Sequence, residues 1–310
     1  MLALDNKSNN SIAVRSLGDL LHDFYTFLDV SEKTLITYKG ALRQFFNYLK
    51  SKGVNTPCHD DIIAFKKSLL DTGHKASTVS LYLASIRKFF TWCEQRGIMQ
   101  NISQGIKSPK IDSGHKKDFV GANQLKNILA DMPRNSLESK RDYAIIALIA
   151  SCGLRTIEVS RANIEDIRIL GDSTVLYVQG KGKSDKADFV KLTPQVLNAI
   201  KDYLNERGQV NDTAPLFASI SRRNYGGRLT THSISRICKT AFRLAGINSS
   251  RITAHSLRHS AVTFSLMSGI SIQEVQAFAR HSNIATTQIY AHNVNKLNSL
   301  CESRICSMIF

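Results

Sequence analysis

Hydrophobic residues recur at helical spacing through the first hundred positions. Residues 16–30 place apolar side chains three or four positions apart, which is the period of one helix face. Two later stretches, 34–46 and 78–90, repeat a pattern of Thr, Tyr, Arg and paired Phe at identical offsets. Each predicts an amphipathic helix with its aromatic residues inward and its Thr, Tyr, Lys and Arg side chains outward. With a shorter helix over 60–70 between them, we predict a compact helical bundle.

The pattern changes after residue 118. Two β-branched runs flank a Gly-Lys turn and predict a β-hairpin with lysines at its tip, with strands over 174–178 and 188–192. The remaining periodic segments predict helices over 123–132, 139–151, from Arg155 onward, 195–207 and 234–245. We therefore predict a mainly α protein with a small β-sheet (α+β) in its C-terminal domain. Between the two domains, Gly, Ser, Pro and Lys occur without apolar periodicity and indicate a linker. The predicted boundaries are a helical domain over 12–106, a basic linker over 107–117 and a C-terminal domain over 118–310.

The charge of the chain narrows the class of partner. Its 310 residues carry a formal net charge of +16, and the sequence pI is near 9.7. The net charge is +4 over residues 1–106, +3 over 107–117 and +9 over 118–310. Because positive charge runs through both halves and the linker, we expect a polyanionic partner. The alternative is a generally basic surface with no such partner.

Membrane and metal roles find little support in the sequence. The longest uninterrupted apolar run, 144–150, is too short to cross a bilayer, and the N-terminus lacks the charged-then-apolar pattern of a secretory signal. The six cysteines form no CxxC pair and no paired metal spacing. We therefore expect reduced thiols, no metal site, no membrane partner, and a cytoplasmic, nucleoid-associated protein.

The segment from His255 to Tyr290 concentrates side chains that suit a phosphodiester. His255 and Arg258 lie three positions apart, which puts both on one face of a helix, and His281 and Tyr290 follow. Arginine grips two phosphate oxygens through its planar fork, and histidine can hold an oxygen or move a proton. A tyrosine hydroxyl can attack phosphorus. These residue types together point to chemistry on a phosphate ester.

Four sequence blocks stand in a fixed order: GLRTIE at 153–158, GKG at 180–182, HSLRH at 255–259 and HSNIATTQIYAH at 281–292. Together they resemble the tyrosine recombinase (phage integrase) superfamily, and most closely its small Xer-like members. The resemblance spans the whole chain. It is strong over 140–292 and weaker over 16–106, which looks like the helical, SAM-like core-DNA-binding domain of that family. It implies a protein that closes around DNA like a clamp.

The resemblance also implies a reaction. In that family a tyrosine attacks a scissile phosphate, producing a 3′-phosphotyrosyl bond and a free 5′-hydroxyl. By matching position, Tyr290 is the implied nucleophile, and Arg155 and Arg258 hold the non-bridging oxygens, whose charge grows in the transition state. Lys181 matches the hairpin lysine that protonates the 5′ leaving oxygen. One phosphoester replaces another at nearly equal energy, so we expect no cofactor, no metal and no ATP.

Four further residues complete the implied site. His255 would assist proton transfer, and His281 would help orient the phosphate. Glu158, one helical turn after the first arginine, is the expected partner that positions it. His259 is expected in the core or in the shell around the reacting groups.

The family resemblance implies partners as well. With no additional N-terminal arm-binding domain in the sequence, we expect double-stranded DNA sites of two inverted half-sites. A tetramer is implied, either of identical chains or with a partner recombinase. The apolar C-terminal tail would link its subunits by exchange of a terminal helix, the alternative being a tail folded onto its own domain. The candidate DNA contacts are Lys33, Lys39, Arg43, Lys75, Ser77, Thr78, Arg87, Lys107 and Lys110.

Two positions leave questions open. Lys183 and Lys186 compete with Lys181 for the role of the hairpin lysine. Arg280 stands where the family usually has Gly, just before His281, and Gly adopts a positive φ far more readily than Arg. The local backbone there is therefore in question.

Several functions remain to be separated at this stage. The first is a site-specific recombinase for DNA integration, excision or dimer resolution. The second is a type IB topoisomerase-like enzyme with the same chemistry and no strand exchange. The third is a catalytically silent, sequence-specific DNA-binding protein. A metal-dependent nuclease is a fourth, but the chain lacks a clustered carboxylate set for it.

Overall fold

The computed structural model describes residues 16–111, 118–180 and 182–310. The chain divides into two compact units, 1–113 and 114–310, here called unit 1 and unit 2. None of the described helices combines the length and hydrophobicity that a bilayer-spanning segment requires.

In its described part, residues 16–111, unit 1 is a bundle of four helices. They are α1 (Leu17–Phe27), α2 (Glu32–Ser51), α3 (His59–Asp71) and α4 (Ala76–Gln95). The Ser16 and Ser31 hydroxyls accept hydrogen bonds from backbone N–H groups in the first turns of α1 and α2, so local sequence fixes where these helices begin. Helices α2 and α4 carry the repeated pattern, and their paired phenylalanines are buried.

The core of unit 1 is aromatic. Phe24 of α1 contacts Phe89 edge to face, with ring centroids 5.3 Å apart, and Phe45 contacts Phe90 in the same manner at 6.1 Å. Aromatic pairs prefer such tilted geometries, and their large apolar area supplies much of the burial energy of a small bundle. The inward placement of the aromatic residues is thus confirmed.

Unit 2 is mostly helical around a small antiparallel sheet. Its helices are α5 (Ala122–Asp131), α6 (Leu137–Cys152), α7 (Thr156–Arg161), α8 (Pro194–Arg207), α9 (Thr231–Leu244), α10 (Ala254–Met267), α11 (Ile272–Ala279), α12 (Ile284–Leu297) and α13 (Cys301–Ile309). Its strands are β1 (Ile167–Leu170), β2 (Ser173–Val178) and β3 (Asp188–Lys191), in the order β1-β2-β3. The predicted class, mainly α with a small sheet, is confirmed.

The sheet has one more strand than the predicted hairpin. Strands β2 and β3 pair antiparallel, with Leu176 opposite Val190, and β1 adds to the other edge of β2 with Ile167 opposite Leu176. Strand β1 was not predicted because it is mostly exposed: Ile169 retains 82% of its accessible surface. Without one buried and one exposed face, the strand lacks the alternation by which a sequence reveals it.

Helix α6 lies at the centre of unit 2. Every residue from 144 to 150 is buried, which explains why this run is apolar on all sides rather than along one stripe. The helix ends at Gly153, whose backbone is left-handed with φ 59°. A left-handed residue after the last helical turn is a common stop that glycine makes without strain. The chain then turns directly into Arg155 and α7.

Candidate active site

Three of the four sequence blocks, at 153–158, 255–259 and 281–292, meet in one cavity of unit 2. Its volume is about 330 Å³. The chain reaches it at the turn between α6 and α7, at the start of α10, at the turn after α11, and on α12. The residues that line it are Arg155, His255, Arg258, His259, His281, Ser282, Thr286 and Tyr290.

Arg258 is the most deeply placed charge of this site. It lies in α10 and is 1% exposed. Its Nη1 donates to the carbonyl of Gly153 at 2.5 Å, and its Nη2 donates to the carbonyl of Ala279. Burial first, and then the nearby charges of Arg155 and Arg280, lower the pKa of Arg258 to about 9. Two carbonyl dipoles therefore replace the water that this guanidinium lost.

Arg155 is the N-cap residue of α7, and Glu158 fixes it there. The Glu158 carboxylate is fully buried. Its Oε1 accepts from Arg155 Nη1 at 2.8 Å, and its Oε2 accepts from the Arg155 backbone N–H, also at 2.8 Å. A carboxylate that bonds back to a free N–H at a helix start is a common capping arrangement. Arg155 Nη2 also donates to the carbonyl of Arg280 at 3.1 Å.

Arg280 brings a second guanidinium to the same carboxylate. Its Nη2 lies 3.0 Å from Glu158 Oε2, and its side chain is 7% exposed. Burial alone would raise the pKa of Glu158. The charge of Arg280 and hydrogen bonds from both arginines outweigh burial and lower that pKa overall. Glu158 is therefore a buried carboxylate shared by two arginines. The sequence had predicted only its contact with Arg155.

Tyr290 is buried in α12 and is 4% exposed. Its ring packs in a small apolar cluster with Val262, Val275 and Ala279. Its hydroxyl is hydrogen-bonded to Nδ1 of His259. Burial raises the pKa of Tyr290 to about 12, against the opposing effect of Arg258 and Arg155. The phenol is therefore protonated at neutral pH and needs a proton acceptor before it can attack.

Three imidazoles surround the phenol. The rings of His255 and His259 lie 4.4 Å apart, centroid to centroid, and those of His259 and Tyr290 lie 5.0 Å apart. His281 stacks on Tyr290 with centroids at 6.0 Å, and its Nδ1 is hydrogen-bonded to the hydroxyl of Thr287 at 2.9 Å. Burial first, and then the surrounding arginines, lower the pKa of His281 to about 4. His281 is therefore a neutral hydrogen-bonding group at pH 7.

Together these groups can hold an anion and change its bonds. Two guanidinium groups, neutral His281 and a phenol line one cavity, which suits a tetrahedral phosphate with a nucleophile beside it. Within the described ranges, no three His, Cys, Asp or Glu side chains come together in the manner of a metal site.

Lys181, the predicted hairpin lysine, lies outside the described residues. Its two competitors have partners. Lys183 Nζ lies 2.9 Å from Asp188, and Lys186 Nζ lies 2.6 Å from buried Asp166.

The candidate DNA contacts all lie in unit 1 rather than among the residues that line the cavity. Most are exposed, whereas Thr78 and Arg87 are partly buried. Arg87 Nη2 donates to the Ser108 hydroxyl at 2.5 Å, so part of its hydrogen-bonding capacity serves the unit itself. Lys107 contributes its carbonyl to Lys66 Nζ at 3.2 Å.

Sequence reasoning missed two contributors to the site. Thr287 orients His281, and the Arg280 side chain reaches Glu158. The signal for Thr287 was its place one helical turn before Tyr290, on a helix that the motif already marked. The signal for Arg280 was its substitution for glycine, which raised the question of backbone conformation but not of where the side chain goes.

Both parts of the chain match known protein families. Residues 118–296 match the family model described as "Phage integrase family", and residues 21–97 match "Phage integrase, N-terminal SAM-like domain". The chain is 30% identical over 292 residues to the tyrosine recombinase XerD of Listeria monocytogenes serotype 4b (strain F2365), covering 91% of this chain and 96% of that protein. It is 29% identical over 276 residues to the tyrosine recombinase XerA of Pyrococcus furiosus, covering 88% and 89%.

Solved structures share the fold. The XerH recombinase bound to palindromic difH substrate in a post-cleavage complex superposes with a TM-score of 0.72 at 20% identity, covering 93% of this chain and 85% of that one. A lambda integrase dimer bound to a COC′ core site, residues 75–356, gives 0.66 at 18% identity, covering 87% and 96%. The family match and the XerD relative together decide the classification. This chain belongs to the phage integrase family and is a tyrosine recombinase.

Proposed function

We propose that Tyr290 is the nucleophile of a site-specific DNA recombinase. The observation that carries this proposal is the cavity in which the Tyr290 hydroxyl lies with Arg155 and Arg258. The phenol oxygen attacks the scissile phosphorus and forms a 3′-phosphotyrosyl bond. The bond from phosphorus to the 5′ oxygen breaks, the phenol loses its proton, and the 5′ oxygen gains one. Attack by a 5′-hydroxyl reverses the step and rejoins DNA strands.

The arginines stabilise charge that develops on the phosphate. In the proposed roles, Arg155 and Arg258 hold the non-bridging oxygens. Their carbonyl and carboxylate partners keep both guanidiniums in place before DNA arrives. Donors fixed in advance stabilise a transition state without reorganisation. His281 adds a neutral hydrogen bond to the phosphate.

Proton transfer is assigned to the histidines and the hairpin. His259 is placed to accept the Tyr290 proton, because its Nδ1 already contacts the hydroxyl. His255 lies against the His259 ring and would assist the transfer. Lys181 would protonate the 5′ leaving oxygen. The ion pairs of Lys183 and Lys186 favour Lys181 over both competitors.

DNA recognition is proposed to involve both parts of the chain. We assign residues 12–106 to core-DNA binding, 107–117 to a cationic linker and 118–310 to catalysis. The proposed target is double-stranded DNA with two inverted half-sites, in keeping with the palindromic substrate named for the XerH complex. The physiological task would be integration, excision or dimer resolution in the cytoplasm, on nucleoid DNA.

The terminal helix supports a further part of the proposal, a tetramer joined by tail exchange. Every residue of α13 is exposed, so no part of the described chain covers this helix. Apolar side chains on this helix and on the residues that flank it would be covered when the helix docks on a neighbouring copy or a partner recombinase. Those residues are Leu297, Leu300, Ile305, Met308, Ile309 and Phe310.

Adduct capture tests the proposed chemistry. The chain is mixed with fragmented host DNA and a library of nicked random duplexes in EDTA, then quenched in SDS, and covalently attached DNA is sequenced. We expect adducts at Tyr290 on an inverted-repeat consensus. Tyr290→Phe should bind DNA and form none, whereas Tyr225→Phe, which alters an exposed tyrosine of the same unit, should behave as wild type.

Each departure from this result has a defined meaning. An adduct formed by Tyr290→Phe would overturn the nucleophile assignment. Wild-type adducts without sequence preference would indicate a topoisomerase-like enzyme. DNA binding without any adduct would favour a silent DNA-binding protein.

A further inference from the structure

Arg280 has a backbone conformation that needs an explanation. Its φ and ψ are 53° and 45°, and among the described residues it is the non-glycine position with a positive φ. Side chains with a Cβ seldom occupy this region because the Cβ approaches the following carbonyl. At a position where a glycine would fit, an arginine is retained only if its side chain contributes something.

The Arg280 side chain ties three segments together. Nη1 donates to the carbonyl of Phe278 at 2.7 Å, at the end of α11. Nη2 donates to the carbonyl of Gly153 at 3.2 Å, in the turn before α7, and to Glu158 Oε2 at 3.0 Å, within α7. The guanidinium therefore anchors the turn after α11 onto the turn and helix that present Arg155.

The same turn holds both arginines proposed to bind phosphate. The carbonyl of Ala279 accepts from Arg258, and the carbonyl of Arg280 itself accepts from Arg155 at 3.1 Å. A displacement of this turn would move both guanidiniums at once. Sub-ångström placement matters for groups that stabilise a transition state.

Charge gives Arg280 a second effect on the site. Glu158 is fully buried, and without Arg280 its negative charge would be balanced by Arg155 alone. Arg155 would then offer less net positive charge to a phosphate. With Arg280 present, the carboxylate has its own cation on Oε2, and the charge of Arg155 stays available.

We propose that Arg280 is a positioning residue: it clamps the 279–281 turn and balances Glu158, so that Arg155 and Arg258 face the scissile phosphate with their charge intact. This inference rests on the proposed function for the identity of the two phosphate-binding arginines. It goes further in assigning a role to a residue outside the family pattern.

The test uses inorganic phosphate and the full chain, followed by ³¹P NMR. Only the saturable phosphate binding that Arg155→Ala abolishes is counted, so that phosphate bound elsewhere on the basic surface does not enter the measured affinity. We expect Arg280→Gly to weaken this binding at least fivefold, and Arg280→Lys to weaken it less. Glycine suits a positive φ, and far-UV circular dichroism of each variant establishes that it is folded before its phosphate affinity is compared.

A double variant separates charge balance from simple packing. Adding Glu158→Gln to Arg280→Gly removes the unbalanced charge while the lost clamp stays lost, and we expect affinity to recover to within about twofold to threefold of wild type, a span of under 1 kcal/mol. A merely structural role would show no recovery. Arg251→Ala is the matched control, because it removes an exposed arginine–carboxylate pair of 2.8 Å, and it should leave binding unchanged.

Two results would overturn the proposal. One is Arg280→Gly with phosphate affinity within twofold of wild type, and the other is an affinity loss that Glu158→Gln does not restore. The binding series needs no reaction at Tyr290. Wild-type adduct formation, measured separately, reports on the proposed function, so either can fail while the other stands.

Discussion

Replacement of Arg258 by methionine should lower cleavage by orders of magnitude and leave the stability of the fold nearly unchanged. The side chain is 1% exposed, and the hydrogen bonds that it donates within the described residues go to two backbone carbonyls rather than to a carboxylate. Within the described part of the chain, the Arg258 charge is therefore buried without an ion pair. Methionine keeps most of the packed volume and removes that charge.

The structure sets the size of each opposing effect. Burial, and then the charges of Arg155 and Arg280, lower the pKa of Arg258 from its ordinary value to about 9. One pKa unit corresponds to about 1.4 kcal/mol, so holding the charge costs roughly 5 kcal/mol. Below pH 9 both folded and unfolded chains keep the proton, so this cost is constant at pH 7.5. Each hydrogen bond from a charged group contributes about 1.5–3 kcal/mol, so loss of the pair costs about 3–6 kcal/mol.

The two effects nearly cancel, and we expect Arg258→Met to differ from wild type by less than about 2 kcal/mol. Adduct formation should fall by about 10²–10³-fold, the usual loss when one fixed transition-state donor is removed. Arg141→Met is the control with the opposite expectation. Arg141 is also buried, but it is paired with Asp142 at 2.7 Å, and breaking a buried pair costs about 3–5 kcal/mol.

Urea unfolding measures both variants with an internal reference. The single tryptophan, Trp92, lies in α4 of unit 1, so its fluorescence follows unit 1 and should not change. Far-UV circular dichroism then follows the remaining transition of unit 2. A loss above about 3 kcal/mol in Arg258→Met would refute the reasoning, because the two carbonyl bonds would then outweigh the cost of the buried charge.

Two other predictions follow from the same region. The pKa of His281 is lowered to about 4 in the folded chain, so the unfolded chain binds the proton first as pH falls below 6.5. The stability that is present above pH 6.5 is therefore lost toward pH 4. Over this range, thermal unfolding of His281→Gln should depend less on pH than that of the wild type, and equal slopes would contradict this. Gly153→Ala should cost about 1–3 kcal/mol more than Gly246→Ala. Both glycines have positive φ, but only at Gly153 would a Cβ meet a neighbour, Phe278 at 3.0 Å; equal losses in urea unfolding would show that Phe278 gives way.

The sequence allowed most helices to be predicted, because their signals are local. The repeated stretches in unit 1 became α2 and α4 with buried phenylalanines, and Gly153 marked the end of α6 by the conformation that it alone adopts easily. Strand β1 could not be found, since an exposed edge strand is defined by its hydrogen bonds to β2 rather than by its own pattern.

In the site, too, the local features could be predicted and the long-range contacts could not. The residue types and their order indicated phosphate chemistry, and the cavity brings together Arg155, Arg258 and Tyr290. Their orientation could not be predicted, because it depends on contacts between residues far apart in the chain. The bond between Tyr290 and His259 and the sharing of Glu158 are of this kind, and only the packing of α7, α10 and α12 determines them.

For the proposed mechanism, these contacts would keep the site from reacting before its substrate arrives. The guanidinium groups are held by carbonyls and by Glu158, so the positive field exists before a phosphate enters. Burial keeps the pKa of Tyr290 at about 12 even beside that field, so almost no phenolate forms at neutral pH. Attack then depends on removal of the proton at the moment a phosphate lies against the arginines. In the proposed mechanism the positive field is therefore permanent, whereas the nucleophile forms only when DNA fills the cavity and Tyr290 loses its proton.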